Sequence, residues 1–374
     1  GPDVNESREM FTPVFRGRDR GAVESSKVKV ERPETGQSLS TFNSQLSTAE
    51  GSEAAFASAN AAIRFGLAGV KGVGELAAQQ IIAELDRLYA LGWRRNVFFV
   101  DDNFICNKRQ LKEEILPAMI EWRKGKAGCN YLTEASINLA DDEELMSLMA
   151  AAGFNSVFVG IETPDAESLA ECKKGQNVDR DLVRSVQTMQ RRGLQVMGGF
   201  IVGFDHDTET IFDRQIEFIQ KSGVVTAMVG MLQAIPGTPL FARLLAEGRI
   251  SHDMSGDNAD GTTNIIPAMG LDRLKQGYNR LMAEIYSPAK FYERIKVCLR
   301  NYNPPRVRVR LHASEFYAFV RSIWKLGTLG DERREYWKLF FWTLFRRPRY
   351  LSLAITFAIY GFHFRTVNAL NGIR

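Results

Sequence analysis

From about residue 96 onward, short runs of apolar residues alternate with segments that have the apolar spacing of helices. The apolar runs lie at 97–100, 131–137, 156–161, 194–202 and 226–235. Helical spacing is found at about 111–123, 180–192, 209–221 and 239–247, and the acidic turn 141–144 begins a further helix. The runs are apolar on both faces, which is typical of parallel strands covered by helices. This alternation predicts an α/β fold, either a doubly wound sheet or a (β/α) barrel.

The chain before residue 96 has a different character. Residues 16–60 are rich in Ser, Thr, Glu and Ala without apolar periodicity, which predicts a disordered or loosely ordered segment. Residues 62–93 have a helical character that is interrupted by Gly69, Gly72 and Gly74. We therefore expect the N-terminal segment to be largely irregular.

Polar side chains stand at the carboxyl ends of the predicted strands. They are Asp101, Asp102, Asn103, Glu134, Ser136, Glu162, Thr163, Asp205, Asp207 and Gln233. An α/β barrel builds its site from such groups, because the ends of successive parallel strands meet at one edge. Asp and Thr also cap helices, and we favour that role for Asp207 and Thr163. For the Asp101-Asp102 pair and for Glu134, a carboxylate inside an apolar strand, we favour a site.

Glycines interrupt one of the predicted strands. Gly198 and Gly199 lie within it and Gly203 ends it. Glycine weakens a strand and marks either a bulge or a close approach of the backbone to another group, such as the flat ring of a nucleotide. Both interpretations stay open from the residues alone.

Charge and aromatic residues concentrate at the C-terminal end. Residues 291–374 contain 16 Lys and Arg against 5 Asp and Glu, although the whole chain has a net charge of only +4. A basic surface with interspersed aromatics suits an anionic partner, either nucleic acid or a membrane face. The alternative is a helical domain with an aromatic core and solvated arginines. The apolar run 351–360 is shorter than the roughly 18 residues of a spanning helix.

The four cysteines indicate the compartment. Cys106, Cys129, Cys172 and Cys298 are far apart, which suits a reducing environment better than a disulfide framework. The first residues are polar and do not have the pattern of a signal peptide. We expect a cytoplasmic protein, with peripheral membrane contact as a further option for the basic C-terminal region.

Five segments together resemble the cobalamin-type radical S-adenosylmethionine (SAM) proteins in order and spacing. They are Val97-Phe-Phe-Val-Asp-Asp-Asn-Phe104, Thr133-Glu-Ala-Ser-Ile-Asn138, Val157-Phe-Val-Gly-Ile-Glu-Thr163, Gly199-Phe-Ile-Val-Gly-Phe204 and Ala234-Ile-Pro-Gly-Thr-Pro-Leu240. The region after Tyr286 resembles the helical C-terminal domain of a subgroup that includes hopanoid-modifying enzymes. The resemblance covers residues from about 80 to 374.

The resemblance implies a partial (β/α) barrel that holds a [4Fe-4S] cluster and SAM, with a radical reaction on a small or lipid-like substrate. Many members transfer a methyl group from cobalamin. It implies a cofactor-binding set: Asp101, Asp102 and Asn103 near the methionine ammonium group, Glu134, Ser136 and Glu162 near the amino acid and ribose, Gly199 and Gly203 near the adenine, and Gln233 on the fifth predicted strand. No catalytic residue is assigned.

The sequence departs from this family in its cysteines. Members carry a Cys-x3-Cys-x2-Cys loop after the first strand, and that spacing does not occur here. All four cysteines are interpreted as small buried hydrophobes, so no metal ligands are expected. The first βα unit is expected to be missing, which would leave an open sheet edge at Val97–Val100. We expect impaired activity, and cobalamin only through a missing domain or a partner.

A second resemblance concerns the N-terminal part. Pro2–Ser7 and Ile63–Glu75 resemble patches around the helix-hairpin-helix of the bacterial DNA polymerase III α subunit, where the turn Gly72-Val73-Gly74 would face a DNA phosphate. This implies nucleic-acid binding as the alternative function, although a nucleic-acid partner is disfavoured by the modest charge. The expected domains are a disordered segment at 1–61, a helix-hairpin-helix-like patch at 62–80, a truncated barrel at 81–285 and a basic aromatic helical domain at 286–374.

Overall fold

The computed structural model describes residues 63–66, 74–126, 128–172, 174–254, 260–304, 313–370 and 372–373. The segment 1–61 therefore lies outside the described residues, and so do the patch Pro2–Ser7 and the turn residues Gly72 and Val73.

The described strands form one sheet of six parallel strands in chain order. They are β1 (Ile63–Gly66), β2 (Asn96–Val100), β3 (Asn130–Glu134), β4 (Phe154–Glu162), β5 (Gln195–Val202) and β6 (Ala227–Met231). Parallel neighbours need a crossover between them, and helices supply it here. The predicted α/β class is confirmed, and so are the five strands that the apolar runs indicated.

Helices connect the strands and then continue to the C-terminal end. The α-helices are α1 (Gly74–Ala90), α2 (Lys108–Gln110), α3 (Leu116–Arg123), α4 (Glu143–Ala152), α5 (Ala166–Glu171), α6 (Leu182–Arg191), α7 (Ile211–Ser222), α8 (Pro239–Ala246), α9 (Leu271–Tyr286), α10 (Pro288–Asn301), α11 (Ala313–Ser322), α12 (Arg333–Arg346) and α13 (Leu351–Leu370). π-helical segments span Leu111–Ile115 and Ile323–Leu329, and short 3₁₀ turns span Phe104–Asn107, Ile137–Asp141, Gly175–Asn177 and Pro348–Tyr350.

Strand β1 corrects the expectations for the start of the barrel. Ile63–Gly66 pairs in parallel with Val97–Val100, and α1 follows it. The first βα unit is thus present, the edge of β2 is covered, and the helix-hairpin-helix interpretation of 62–80 is wrong for Ile63–Gly66. The strand escaped notice because it is four residues long, contains only two large apolar residues and precedes a glycine-rich stretch.

The two faces of the sheet differ in burial. Side chains alternate between the faces of a strand, and Val97, Phe99 and Val157 on one face are completely buried under the helices. The opposite face, which we call the inner face, is half-buried. Its described members include Phe98, Val100, Leu132, Glu134, Phe158, Gly160, Glu162, Met197, Gly199, Ile201 and Met228.

The C-terminal helices are joined to the sheet by buried polar contacts. The hydroxyl of Tyr286 donates to the Ala227 carbonyl at 2.7 Å, and that of Tyr278 donates to the Val229 carbonyl at 3.2 Å. Apolar residues of the sheet and of α9–α13 form one continuous core. The boundary predicted at residue 285 therefore falls within packed structure, and it stays a prediction. Within the described ranges, every helix is either too short or too polar to cross a membrane.

Arg294 of α10 is the most deeply placed charge in this junction. It is fully buried, and its guanidinium donates to the Ile285 carbonyl at 2.7 Å, to Gln220 Oε1 at 2.8 Å and to the Val225 carbonyl at 3.3 Å. Burial lowers the pKa of Arg294 to about 10. The bonds to Gln220 and Val225 tie α10 to α7 and to the chain entering β6, and the bond to Ile285 ties it to α9.

We expect the substitution Arg294→Ala to lower the free energy of unfolding by about 3 kcal/mol, because it leaves buried acceptors without donors. Urea denaturation measures this change. Arg294→Met, which keeps volume but no donor, should recover only part of the loss, and Arg300→Ala on the exposed side of α10 should cost under about 1 kcal/mol. Equal stability of the Arg294→Ala and Arg300→Ala proteins would contradict this account.

Candidate functional site

Three carboxylates meet where β2 and β3 end. Glu134 is the last residue of β3 on the inner face, and Asp101 and Asp102 directly follow β2. The pKa of Glu134 is raised to about 7, chiefly by burial and then by the negative charges of Asp102 and Asp101, while the positive charge of Lys174 lowers it. A carboxyl that titrates near neutrality can hold a proton or a cation, depending on what lies beside it.

Asn103 and Ser136 join the loops that follow these two strands. The backbone N–H of Ser136 donates to Asn103 Oδ1 at 3.1 Å. The Ser136 hydroxyl donates to Asn138 Oδ1 at 2.8 Å. Both predicted site residues therefore lie at the expected edge of the sheet, and their contacts fix the geometry of the loops beside Asp102 and Glu134.

Glu162 ends β4 in an uncommon backbone conformation and forms an ion pair. Its φ is +65°, a region that few residues other than glycine adopt. Its Oε1 lies 3.0 Å from Lys174 Nζ, and both side chains are more than half buried. The Glu162 carbonyl accepts a bond from Gln215 Nε2 at 3.4 Å, which holds the strained turn from behind.

Lys174 was missed by the sequence analysis. It lies in the loop after α5, next to a second lysine in the sequence, and such a pair is ordinarily read as a solvated surface. The structure instead brings its ammonium group to Glu162 and into the field of Glu134. We call Asp101, Asp102, Glu134, Glu162 and Lys174 the acidic mouth.

Two glycines lie beneath the acidic mouth on neighbouring strands. Gly160 and Gly199 are direct partners in the β4–β5 register. A Cβ on Gly160 would lie 2.6 Å from Glu162 Oε1 and 3.1 Å from Lys174 Nζ. A Cβ on Gly199 would lie 2.9 Å from the Phe158 ring. Glycine at both positions therefore leaves room for the ion pair and for an aromatic ring on the inner face.

The remaining glycines of β5 have other surroundings. Gly198 faces the side chains of Phe200 and Val224 on the buried side of the sheet. Gly203 has a φ of +105°, and a Cβ there would lie 3.0 Å from the side chain of Leu274. The structure thus places Gly199 beside the acidic mouth and Gly203 in a turn against α9.

Three of the polar residues at strand ends lie apart from the acidic mouth. Asp207 accepts bonds from the backbone N–H groups of Gly203 and Phe204 and from the Ser168 hydroxyl, so it fixes a loop. Asp205 pairs with Arg243 and Arg249, which lower its pKa. Gln233 is half-buried and donates to the Thr262 carbonyl at 3.3 Å.

The cysteines do not fit a [4Fe-4S] cluster. Cys129 and Cys298 are buried, and burial raises the pKa of both thiols, which disfavours the thiolate that iron requires. Cys106 is exposed, so the expectation that all four cysteines are buried is wrong for this residue, and the half-buried Cys172 donates to the Leu169 carbonyl. Residues 67–73, between β1 and α1, contain no cysteine in the sequence. Across the described ranges, no three His, Cys, Asp or Glu side chains come together as a metal site.

Comparison with known proteins shows the family. Residues 62–219 match the model of the radical SAM superfamily, and residues 238–371 match a domain of unknown function, DUF4070. The chain therefore belongs to the radical SAM superfamily, and the resemblance inferred from its five motifs is confirmed. The resemblance to DNA polymerase III is not supported, and the radical SAM match includes residues 63–75, the longer of the two patches that suggested it.

Several relatives bear the names of methyltransferases. An uncharacterized methyltransferase of Synechocystis is 37% identical over 290 residues, which are 76% of this chain and 54% of that protein. The hopanoid C-2 methylase of Rhodopseudomonas palustris is 33% identical over 269 residues, which are 70% of this chain and 50% of that protein. The chain thus spans about half the length of these relatives.

Solved structures include a radical SAM methyltransferase, TsrM, from Kitasatospora setae, with cobalamin and a [4Fe-4S] cluster bound. It has 16% sequence identity and a TM-score of 0.45, and the match covers 75% of this chain and 56% of TsrM.

The raised pKa of Glu134 predicts a dependence of stability on pH. The folded protein holds the Glu134 proton more tightly than the unfolded chain, so the free energy of unfolding should fall as the pH rises from about 4.5 to about 7. Above that range this contribution is constant.

Denaturation of the protein and of the variant Glu134→Gln over this pH range isolates the contribution. The variant should gain about 2 kcal/mol relative to the unaltered protein between the two ends, less than the full shift implies because the carboxyl keeps some contact with solvent. Parallel stability curves for the two proteins would mean that Glu134 ionises as an ordinary glutamate.

Proposed function

We propose that this chain binds SAM at the acidic mouth and serves as the radical SAM part of a methyltransferase whose substrate is small or lipid-like. The observation that carries the proposal is the acidic mouth itself, in which Asp101, Asp102 and Lys174 act on the charge of Glu134 and Lys174 pairs with Glu162. Its surplus negative charge favours a cationic ligand, and its lysine favours one that also carries a carboxylate. SAM has both features.

Different residues of the acidic mouth would contact different groups of SAM. Asp101, Asp102 and Glu134 would hold the sulfonium and ammonium charges, and a bound cation would lower the pKa of Glu134 by favouring its ionised form. Lys174 would donate to the methionine carboxylate, and its ion pair with Glu162 would weaken in exchange. Glu162 then remains free to receive the hydroxyls of the ribose.

The glycine pair supports a place for a flat ring. Gly160 and Gly199 expose backbone rather than side chains on the inner face, and the Phe158 ring lies against Gly199. An adenine could stack on Phe158 over this surface. Bound SAM would supply the reactive methyl or adenosyl group, and the residues of the chain would orient it and shield it from water.

The cysteine arrangement limits the chemistry that we assign. Because the residues present do not fit a [4Fe-4S] cluster, we propose that this chain alone does not carry out radical chemistry. Cobalamin would come from a further domain or a partner. The chain would therefore bind SAM without cleaving it to a radical by itself.

The proposed substrate is small or lipid-like, and the proposed location is the cytoplasm at a membrane surface. The relative from Rhodopseudomonas palustris is named for a hopanoid, a lipid-like substrate. A protein that acts on such molecules would work in the cytoplasm with its basic C-terminal helices in peripheral contact with a membrane.

Isothermal titration of the iron-free chain with SAM tests the binding proposal. Asp102→Asn, Glu134→Gln and Lys174→Met should each weaken binding about tenfold, since each removes one charge-assisted contact. Gly160→Ala should weaken it similarly by displacing the Glu162–Lys174 pair, with little effect on folding because flexible side chains can move away. Asp213→Asn, on the exposed side of α7, is the matched control.

The charge of the ligand provides a second arm of this test. S-adenosylhomocysteine lacks the sulfonium charge, so it should bind more weakly to the unaltered chain and lose less affinity when Glu134→Gln is introduced. Equal affinity for the two ligands would exclude the acidic mouth as the SAM site. Binding that is unchanged in all four variants, those at Asp102, Glu134, Lys174 and Gly160, would exclude it as well.

Anaerobic reconstitution with iron and sulfide tests the limit on activity. We expect the chain to retain no stoichiometric iron, to show no charge-transfer absorption of a [4Fe-4S] cluster, and to form no 5′-deoxyadenosine from SAM. A cluster whose spectrum changes on addition of SAM would overturn this expectation. Loss of that spectrum in Cys106→Ala would then identify the most exposed thiol as a ligand.

A further inference from the structure

The C-terminal helices expose an unusual number of large apolar side chains. Phe316 is 68% exposed, Trp324 is 61% exposed and Phe345 is 78% exposed. We call the full set the aromatic face, and it comprises Phe316, Tyr317, Val320, Trp324, Leu329, Phe341, Leu344 and Phe345. Isolated exposed apolar residues are ordinary on a protein surface, but a cluster of them marks an interaction site.

The helical segments that carry the aromatic face contact each other through partly buried aromatic rings. Phe316, Val320 and Trp324 follow one another at four-residue spacing along α11 and the π-helical segment. Phe319, beside them, stacks on Phe340 of α12 at 6.3 Å between ring centroids.

The same chain of contacts continues along α12. The Phe340 ring meets that of Phe341 at 5.4 Å, and Phe341 stacks on Phe345 at 6.3 Å. The Trp337 indole N–H donates to the Gly327 carbonyl at 2.8 Å, which locks α12 against the π-helical segment. The aromatic face is therefore carried by two helical segments that are locked together.

Basic side chains accompany the aromatic face. Those that are exposed are Lys325, Arg333, Arg334, Lys338, Arg346 and Arg349. Acidic groups do not balance them. Between residues 316 and 350 Asp331 is the one exposed acidic residue, Glu335 pairs with Lys338, and Glu332 is buried against Arg365.

We propose that the aromatic face docks on a membrane surface that contains anionic lipid. Aromatic and leucine side chains enter the boundary between headgroups and acyl chains, while Arg and Lys pair with lipid phosphates. A protein partner is a poorer match, because the centres of protein interfaces are depleted in charged residues, and a second copy would bring two basic surfaces together. This inference rests on the proposed lipid-like substrate and names the surface that would reach it.

Sedimentation with vesicles tests the docking on the full chain. Vesicles of phosphatidylcholine with phosphatidylserine should bind the protein, and those of phosphatidylcholine alone should bind it far less. Trp324→Ala and Phe345→Ala should each reduce partitioning roughly tenfold. The pair Arg346→Gln and Arg349→Gln should reduce it by roughly twentyfold and lower its salt dependence, since four of the six exposed cations remain.

Matched controls lie on α8 and α9, outside the aromatic face. Leu245→Ala removes a side chain that is comparably exposed at 58%, and Arg273→Gln removes an exposed cation. Both should bind vesicles like the unaltered protein. Trp324 also reports directly, because its fluorescence should shift to the blue when vesicles are added and this part of the shift should vanish in Trp324→Phe.

Three results would overturn the proposal: no binding to anionic vesicles, binding that is unchanged by the substitutions in the aromatic face, or self-association that these substitutions abolish while vesicles have no effect. Titration of the same preparations with SAM separates the two hypotheses. Lost docking with intact SAM binding would refute this inference alone, and intact docking without SAM binding would refute the proposed function alone.

Discussion

The parallel pairing of β1 to β6 is the constraint on which the site depends. Because all six strands run in one direction, their carboxyl ends meet at one edge, and residues distant in sequence become neighbours there. Asp102, Glu134 and Glu162 come from three different strand ends. Their mutual repulsion would disfavour this arrangement, and the fold relieves it in two ways: Lys174 pairs with Glu162, and Glu134 holds its proton up to a pH of about 7.

The sequence predicted those parts of the fold that depend on local pattern. Strands such as Asn96–Val100 and Gln195–Val202 are rich in Val, Phe and Ile between helical segments, so the pattern located them. Strand β1 was missed because its identity depends on pairing with β2 rather than on its own four residues. The position of Lys174 and the positive φ of Glu162 result from tertiary contacts, and no local pattern encodes them.

The proposed SAM site at the acidic mouth is physically separable from the ligands of an iron–sulfur cluster. The first depends on strand ends that the sheet places whether or not metal is bound. The second depends on thiolates within one loop, and this chain has no cysteine between β1 and α1. A chain can therefore keep the electrostatic surroundings suited to a sulfonium ligand while it lacks the ligands for iron. This is why family membership, which rests on residues 62–219, does not by itself establish the family's chemistry.

The C-terminal helices bury a charged side chain in one place and expose large apolar side chains in another. On one side Arg294 is fully buried, and a buried guanidinium is tolerated only where its donors meet well-placed acceptors. That requirement allows little freedom in how α10 lies on the sheet. On the other side Trp324 and Phe345 remain exposed although burial would be favourable. Since one continuous core joins both sides, the aromatic face is held rigidly on the same body as the acidic mouth. Because the helices that carry these aromatic side chains are well packed, a local rearrangement cannot remove the side chains from water. Their burial requires a second surface from outside the described chain.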